Sequence, residues 1–240
     1  MLKEYKVWDA PTRIFHWVNL TTVVLLIFMG LMMLFKQDMG ITSLEAKITL
    51  KTIHVLIGYV FVLNLLVRIA WAFTGNRFAR WSAMLPGKGF GDDVKVYLAS
   101  IKSGEPKQYL GHNPLGRLAV AVIMASLIVM AVTGLIRAGT DIYYPPLGSI
   151  AAEYVAAEGI DPATLKPYDK TFVDAAKMNE LGTFKKPFGV VHLYTAYFLM
   201  FLIALHIFAV VRTEITERVT LLSAMISGRK TLSREPEDRE

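Results

Sequence analysis

The sequence predicts an all-α integral membrane protein, a four-transmembrane-helix bundle, on three observations. It is 54% hydrophobic with a mean hydropathy of +0.42, too apolar for an ordinary soluble domain. Four apolar runs, at about 15–35, 52–73, 118–136 and 189–211, come near the length of about 20 residues that a helix needs to cross a bilayer. And four of the five histidines, His16, His54, His192 and His206, sit in these runs, where an ionisable side chain is costly and marks function by default.

The elements follow in order. The first run is too long for a signal-peptide core and ends in LMMLFKQD with no small-residue cleavage site, so it is a retained helix. Basic residues crowd the N-terminal arm (Lys3, Lys6, Arg13), the second connection (from Arg77 to Lys107) and the tail, whereas acids outnumber lysines in the third connection. The positive-inside rule then puts both termini and the second connection in the cytoplasm of a bacterial inner-membrane protein, and the first and third connections outside. The second connection carries an amphipathic stretch at 92–102, with Val94, Tyr97, Leu98 and Ile101 at helical spacing, expected to lie on the membrane surface. GHNP at 111–114 starts the third helix, with Asn113 as cap and Pro114 at the first helical position. The third connection, about 138–187, is long; its short helices are expected at 150–157, from Asp161-Pro162, and at 171–181, and its aromatic content argues for order. The organisation is a membrane domain at 1–215 and a cytoplasmic tail at 216–240, whose last residues, 233–240, read as disordered.

Composition excludes several chemistries. With no cysteine there is no thiolate-held cluster, no covalent c-type haem and no disulfide. No phosphate-cradling glycine loop or nucleophile elbow is present. The net charge of +6 belongs to basic cytoplasmic loops and not to a nucleic-acid surface.

His192 and His206 are fourteen positions apart on one helix, so they differ by only about 40° in direction and about 21 Å in height. Both face the bundle interior, near opposite membrane surfaces. The fourth helix enters from outside, which makes His192 outer and His206 inner. His54 opens the second helix at its outer end; His16 opens the first at its inner end. The pairs are therefore His54 with His192 and His16 with His206. A single membrane histidine can be a packing residue or a proton relay. Two depth-matched pairs point instead to two b haems between the helices, each ligated through iron by two imidazoles. Two axial histidines leave no open iron position, which suits electron transfer. A metal permease is the rival reading; it would want ligands gathered at one depth with carboxylates, and no Asp or Glu lies within the four runs as bounded above.

Gly30, Gly58, Gly134 and Gly189 lie where a flat macrocycle needs close backbone approach, or where helices pack. Arg68, fourteen residues after His54, falls at the depth of the inner pair. It either binds a haem propionate or snorkels to the cytoplasmic interface.

WDAPTRIFHW at 8–17, LLVRIAWAFTGNRFARW at 65–81, GHNPLG at 111–116 and the paired histidines of the fourth helix resemble the di-haem b-type cytochrome subunits of membrane-bound nickel–iron hydrogenases. They are also similar to the wider bacterial four-helix b-type cytochromes, including formate dehydrogenase gamma subunits. The resemblance covers all four helices. It implies haem ligation by His16, His54, His192 and His206, and electron transfer between a periplasmic redox partner and the membrane quinone. The third connection is longer than the hydrogenase pattern. The order AGTDIYYPP, then KPFGVVHLY, looks more like stand-alone or cytochrome-c-linked members. The resemblance also implies a quinone near the inner haem, where His112 and Asn113 can offer hydrogen bonds; the other role for both is capping the helix.

The reading is thus a membrane-bound di-haem b-type cytochrome moving electrons between a periplasmic partner (hydrogenase or c-type cytochrome) and the quinone pool. The alternatives are a self-contained superoxide- or quinone-reactive cytochrome and a haem-free transporter.

Overall fold

The computed structural model describes residues 2–239. Along the chain run β1 (Lys3–Lys6), α1 (Ala10–Leu34), α2 (Leu44–Thr74), α3 (Trp81–Met84), α4 (Phe90–Lys102), α5 (Pro114–Ile142), α6 (Gly148–Val155), a 3₁₀ turn (Pro162–Thr164), α7 (Ala175–Glu217), α8 (Ala224–Ser227) and β2 (Arg229–Leu232). Four of these helices, α1, α2, α5 and α7, are long and apolar enough to cross a membrane. Phe28, Leu63, Phe201 and Phe208 on them are each more than half exposed, an apolar surface suited to lipid and not to water.

Each long helix starts at a polar side chain that accepts from its otherwise orphaned first N–H groups. Asp9 Oδ1 accepts from Thr12 N (3.1 Å), Ser43 Oγ from Ala46 N (3.2 Å), Asn113 Oδ1 from Gly116 N (2.7 Å) and Asp174 Oδ1 from Ala176 N (2.8 Å). Such a cap contributes about 1 kcal/mol. Asp174 explains a difference from the sequence reading. The short helix expected at 171–181 is the beginning of α7, which runs through Pro187 to Glu217 over 43 residues. The proline lacks only the N–H that would have bonded Thr183 O, and the cap upstream starts the helix regardless. Likewise α5 continues past residue 136 to Ile142, which brings Asp141 inside a helix. The amphipathic stretch at 92–102 is α4, extended at its start to Phe90.

The chain forms two compact units. One holds the residues through Asn19, Asn64–Ser126 and those from Leu199 onward; the other holds Leu20–Leu63 and Leu127–Phe198. Each long helix contributes a segment to both.

The first unit joins the two ends of the chain. β1 pairs antiparallel with β2, Lys3 opposite Leu232 and Lys6 opposite Arg229, above a core of Val7, Trp8, Phe78, Leu110, Val219, Ala224 and Leu232. Neither strand is apolar enough to announce itself in the sequence. Lys230 is buried and donates to Tyr109 O (2.6 Å) and Gly111 O (3.3 Å). Its burial lowers its pKa to about 8, with Asp238 and Glu217 acting in the opposite direction. The tail expected to be disordered is tied down instead. Gln108 Oε1 accepts from Ser233 N (3.0 Å) and Arg234 N (2.9 Å), and Asp238 accepts from Leu110 N and Gly111 N; Glu240 lies outside the described residues. These bonds are made by backbone and long-range partners, which a polar composition hides.

Asp9 links three segments of this unit. Besides capping α1 it accepts from Trp71 Nε1 (2.9 Å) and Asn76 N (3.3 Å). Burial would raise its pKa, but the bonds from Thr12, Trp71 and Asn76 outweigh it and hold the carboxyl below its usual value.

The second unit contains the long third connection, which is ordered. Ala151, Val155 and Leu181 make its core, with Tyr143, Val173 and Met178 packed on them. Ala156 bridges to Val173. Tyr59 donates to Pro145 O (2.6 Å), beside the cis Pro145–Pro146 bond.

Asp9→Ala should destabilise the protein by about 2 kcal/mol or more, because it strands an indole and two backbone N–H groups. Asp9→Asn should cost less. Denaturation in detergent checks both, and an Asp9→Ala protein as stable as wild type would remove Asp9 from this role.

Candidate functional site

The second unit brings His54 of α2 and His192 of α7 together, one ring edge-on to the other. Their ring centroids are 6.4 Å apart, with the planes at 68°. Metal–imidazole nitrogen bonds run about 2.0–2.1 Å, so rings at this spacing would both be able to reach one metal atom between them.

The tautomer of His192 follows from its neighbour. Thr133 Oγ1 lies 2.7 Å from Val129 O, to which its one proton is donated, and 2.9 Å from His192 Nδ1. The hydroxyl must then accept from Nδ1–H, which leaves the Nε2 lone pair free. Nδ1 of His54 is enclosed and has no partner. A Cβ at Gly134 would lie 3.5 Å from His192 Cε1, and one at Gly30 3.9 Å from His54 Cε1, so bare backbone faces both imidazoles. Gly58 faces open space. Gly189 packs under the Arg137 guanidinium, which a Cβ there would displace.

Around this pair stands a cluster that sequence reasoning missed. Asp141, only 9% exposed, receives Lys51 Nζ (2.8 Å) and Arg137 Nη2 (2.8 Å) on Oδ2 and Lys185 Nζ (3.0 Å) on Oδ1. The signal lies in the Lys51–His54 and Arg137–Asp141 helix spacings, but the apolar run ends at 136 and leaves Arg137 and Asp141 outside it. A carboxylate does therefore lie within a spanning helix. Even so, among the described residues no three His, Cys, Asp or Glu side chains gather as a metal site.

In the first unit, His16 of α1 has its Nδ1 enclosed and without a partner, and its ring stands edge-on to Trp17 at 5.6 Å. His206 of α7 is near enough to act on it electrostatically. Arg68 is buried and does not snorkel. Its Nη2 donates to Ala79 O (3.0 Å) and touches Met84 Sδ, its guanidinium lies over the Phe15 ring at 5.7 Å, and its Nη1 is enclosed without a partner.

His112 packs on Trp8 with centroids 5.0 Å apart, and its Nδ1 is also unpartnered. It lines a cavity of about 500 Å³ with Phe78, Tyr109, Arg117, Glu237 and Asp238, a size suited to a small organic ligand. Burial, with the positive charges of Lys230, Arg68, His206 and Arg117, pushes the His112 pKa down to about 3. Asn113 is committed at both ends: Oδ1 caps α5 and Nδ2 donates to Tyr97 OH (2.7 Å), which donates in turn to Glu217 (2.6 Å).

Four membrane-length helices, three of them bearing histidines, define a multi-pass membrane protein. The chain belongs to the prokaryotic cytochrome b561 family, whose model matches residues 7–228. It is 28% identical over 93% of its length to a probable Ni/Fe-hydrogenase B-type cytochrome subunit of Bradyrhizobium diazoefficiens, covering 85% of that protein. Proteins of the same name from Azotobacter vinelandii and Cupriavidus necator are each 26% identical, over 92% and 96% of this chain and 86% and 88% of theirs. No solved structure matches. A b-type cytochrome carries haem b, and the residues present fit such a group: paired imidazoles at metal-bridging distance, glycines beside them and enclosed nitrogens without partners.

The half-buried His112 predicts a pH dependence. Its folded pKa lies below its unfolded value, so between about pH 3 and 6.5 the unfolded chain binds the extra proton and stability falls as pH falls. At pH 5 the loss is on the order of 1–2 kcal/mol. His112→Gln should flatten the decline in melting temperature between pH 7 and 5; an unchanged slope would exclude His112 as its source.

Proposed function

We propose that the protein is a di-haem b-type cytochrome that carries electrons across the bacterial inner membrane between a periplasmic redox partner and the quinone pool. The observation that supports it best is the His54–His192 pair, set at metal-bridging distance with one tautomer fixed by Thr133. In this reading His54 and His192 hold one haem b, and His16 and His206 hold the second. Haem b, when bound, supplies a one-electron iron couple. The protein's part would be to hold the group through both imidazoles of a pair, leaving no room for other ligands on the iron, and to keep those imidazoles rigid so that little reorganises on electron transfer. Arg68 offers its unpaired Nη1 to a carboxylate of the group held by His16 and His206.

Both termini and the second connection are assigned to the cytoplasm by the distribution of Lys and Arg. The quinone is assigned to the cavity lined by His112 and Arg117, each of which has an unpartnered ring or guanidinium nitrogen, Nδ1 and Nε. Asn113 serves it indirectly, by fixing Tyr97 and the start of α5. The relatives are named as hydrogenase subunits, so a nickel–iron hydrogenase is the partner of choice. The exposed apolar side chains of the third connection, Ile150, Tyr154 and Phe172, give a partner something to dock on.

Wild-type protein should contain two haems per chain. His54→Ala or His192→Ala should remove one of them and His16→Ala or His206→Ala the other, read as pyridine haemochrome per protein. One haem or none in folded wild type would overturn the reading.

At the quinone end, His112→Leu should slow reoxidation of reduced haem by a soluble quinone several-fold, about the effect of one lost hydrogen bond, with both haems retained. Asn113→Leu should act mainly on stability. Unchanged kinetics in His112→Leu would move the quinone elsewhere.

A further inference from the structure

The mechanism above leaves the Asp141 cluster unexplained. One buried carboxylate holds three cations, Lys51, Arg137 and Lys185, and so the group carries two positive charges in excess. Lys51 and Lys185 are mostly buried, their side chains 19% and 29% exposed. Arg137 is 35% exposed and Lys185 also donates to Thr140 O, but the net excess of positive charge in these partly buried surroundings favours anionic groups that complete it.

Its position relative to the imidazoles is fixed by helix geometry. Lys51 lies three residues before His54 on α2, Lys185 seven before His192 on α7, and Arg137 four after Thr133, the residue bonded to His192, on α5. Residues at spacings of three, four and seven share a helix face. The cations therefore sit one to two turns from the imidazole pair, on the faces that carry it, and all toward the same end. Arg137 also packs on α7 at Gly189, three residues before His192.

We propose that Lys51, Arg137 and Lys185, gathered by Asp141, are the seat for the two propionates of the haem held by His54 and His192. Two carboxylates match the excess of two positive charges. Asp141 acts as the positioning residue: it keeps three mutually repelling cations together, and Gly189 leaves room for the Arg137 guanidinium. The proposal rests on His54 and His192 being haem ligands.

The test is the rate at which each haem leaves detergent-solubilised holoprotein for an excess of apomyoglobin. His54→Ala first identifies the spectrum of the haem at this site. Lys51→Gln and Arg137→Gln should each speed its loss about ten-fold or more, as charged hydrogen bonds are lost, and leave the other haem's rate unchanged. Lys51→Arg should stay near wild type. After reloading with haem whose propionates are esterified, wild type and Arg137→Gln should lose it equally fast. An unaltered rate for haem b in the Gln variants, or an equal acceleration for haem b and its ester, overturns the proposal, the latter by making the cluster a brace for the fold. If His54→Ala retains both haems, the ligand assignment itself has failed.

Discussion

A side chain that can ionise, carried on a membrane-spanning helix, must find partners for its polar atoms within the protein, and much of this structure follows from that requirement. The imidazole of His192 meets it by giving Nδ1–H to Thr133, whose own proton goes to Val129 O. What remains is one ring nitrogen with a free lone pair, on a ring whose centroid lies 6.4 Å from that of His54. The same requirement draws Lys51, Arg137 and Lys185 onto one carboxylate. In both cases the unsatisfied remainder, a lone pair or an excess of positive charge, describes the group that completes the site.

The unit that holds the chain ends obeys the same rule with more local means. Lys230 enters beneath the backbone of Tyr109–Gly111 and is satisfied by carbonyl oxygens. Asp238 returns the favour to Leu110 and Gly111 N–H groups. The turn that bears His112 is thereby clamped from two sides by the tail. Asn113, Tyr97 and Glu217 add a chain of bonds joining α5, α4 and the end of α7. This network holds the cavity wall beside His112, and it links the ordering of the tail to the shape of that cavity. A tail lost or displaced would reach the site without touching a histidine.

Membership of the prokaryotic cytochrome b561 family and these geometric features bear on different questions. The family accounts for the membrane fold and for haem b. The geometry concerns which side chains meet, and it separates residues that look alike in sequence. Arg68 and Arg137 both lie in spanning helices, yet one is buried with an unpaired nitrogen and the other is locked into an ion cluster. His112 and Asn113 are neighbours, yet the histidine keeps a free nitrogen while the asparagine has spent both ends of its amide.

The sequence by itself determined the four membrane-length helices, the start of α5 and the end of α4, the order of the third connection and the histidines worth attention. These rest on local signals, namely runs of apolar residues, caps and periodicity, which act within one or two helical turns. It misjudged where α5 and α7 end and begin, because Pro187 and the polar residues near 138–142 read as breaks when only the local rule is applied. Asp174, a cap fifteen residues before the first of the apolar run, overrode that rule. The pairing of β1 with β2, the burial of Lys230, the bond from Thr133 to His192 and the convergence of three cations on Asp141 were decided only by the tertiary structure. Each joins residues far apart in the chain, and a polar side chain carries no mark in the sequence of the distant atom that will satisfy it.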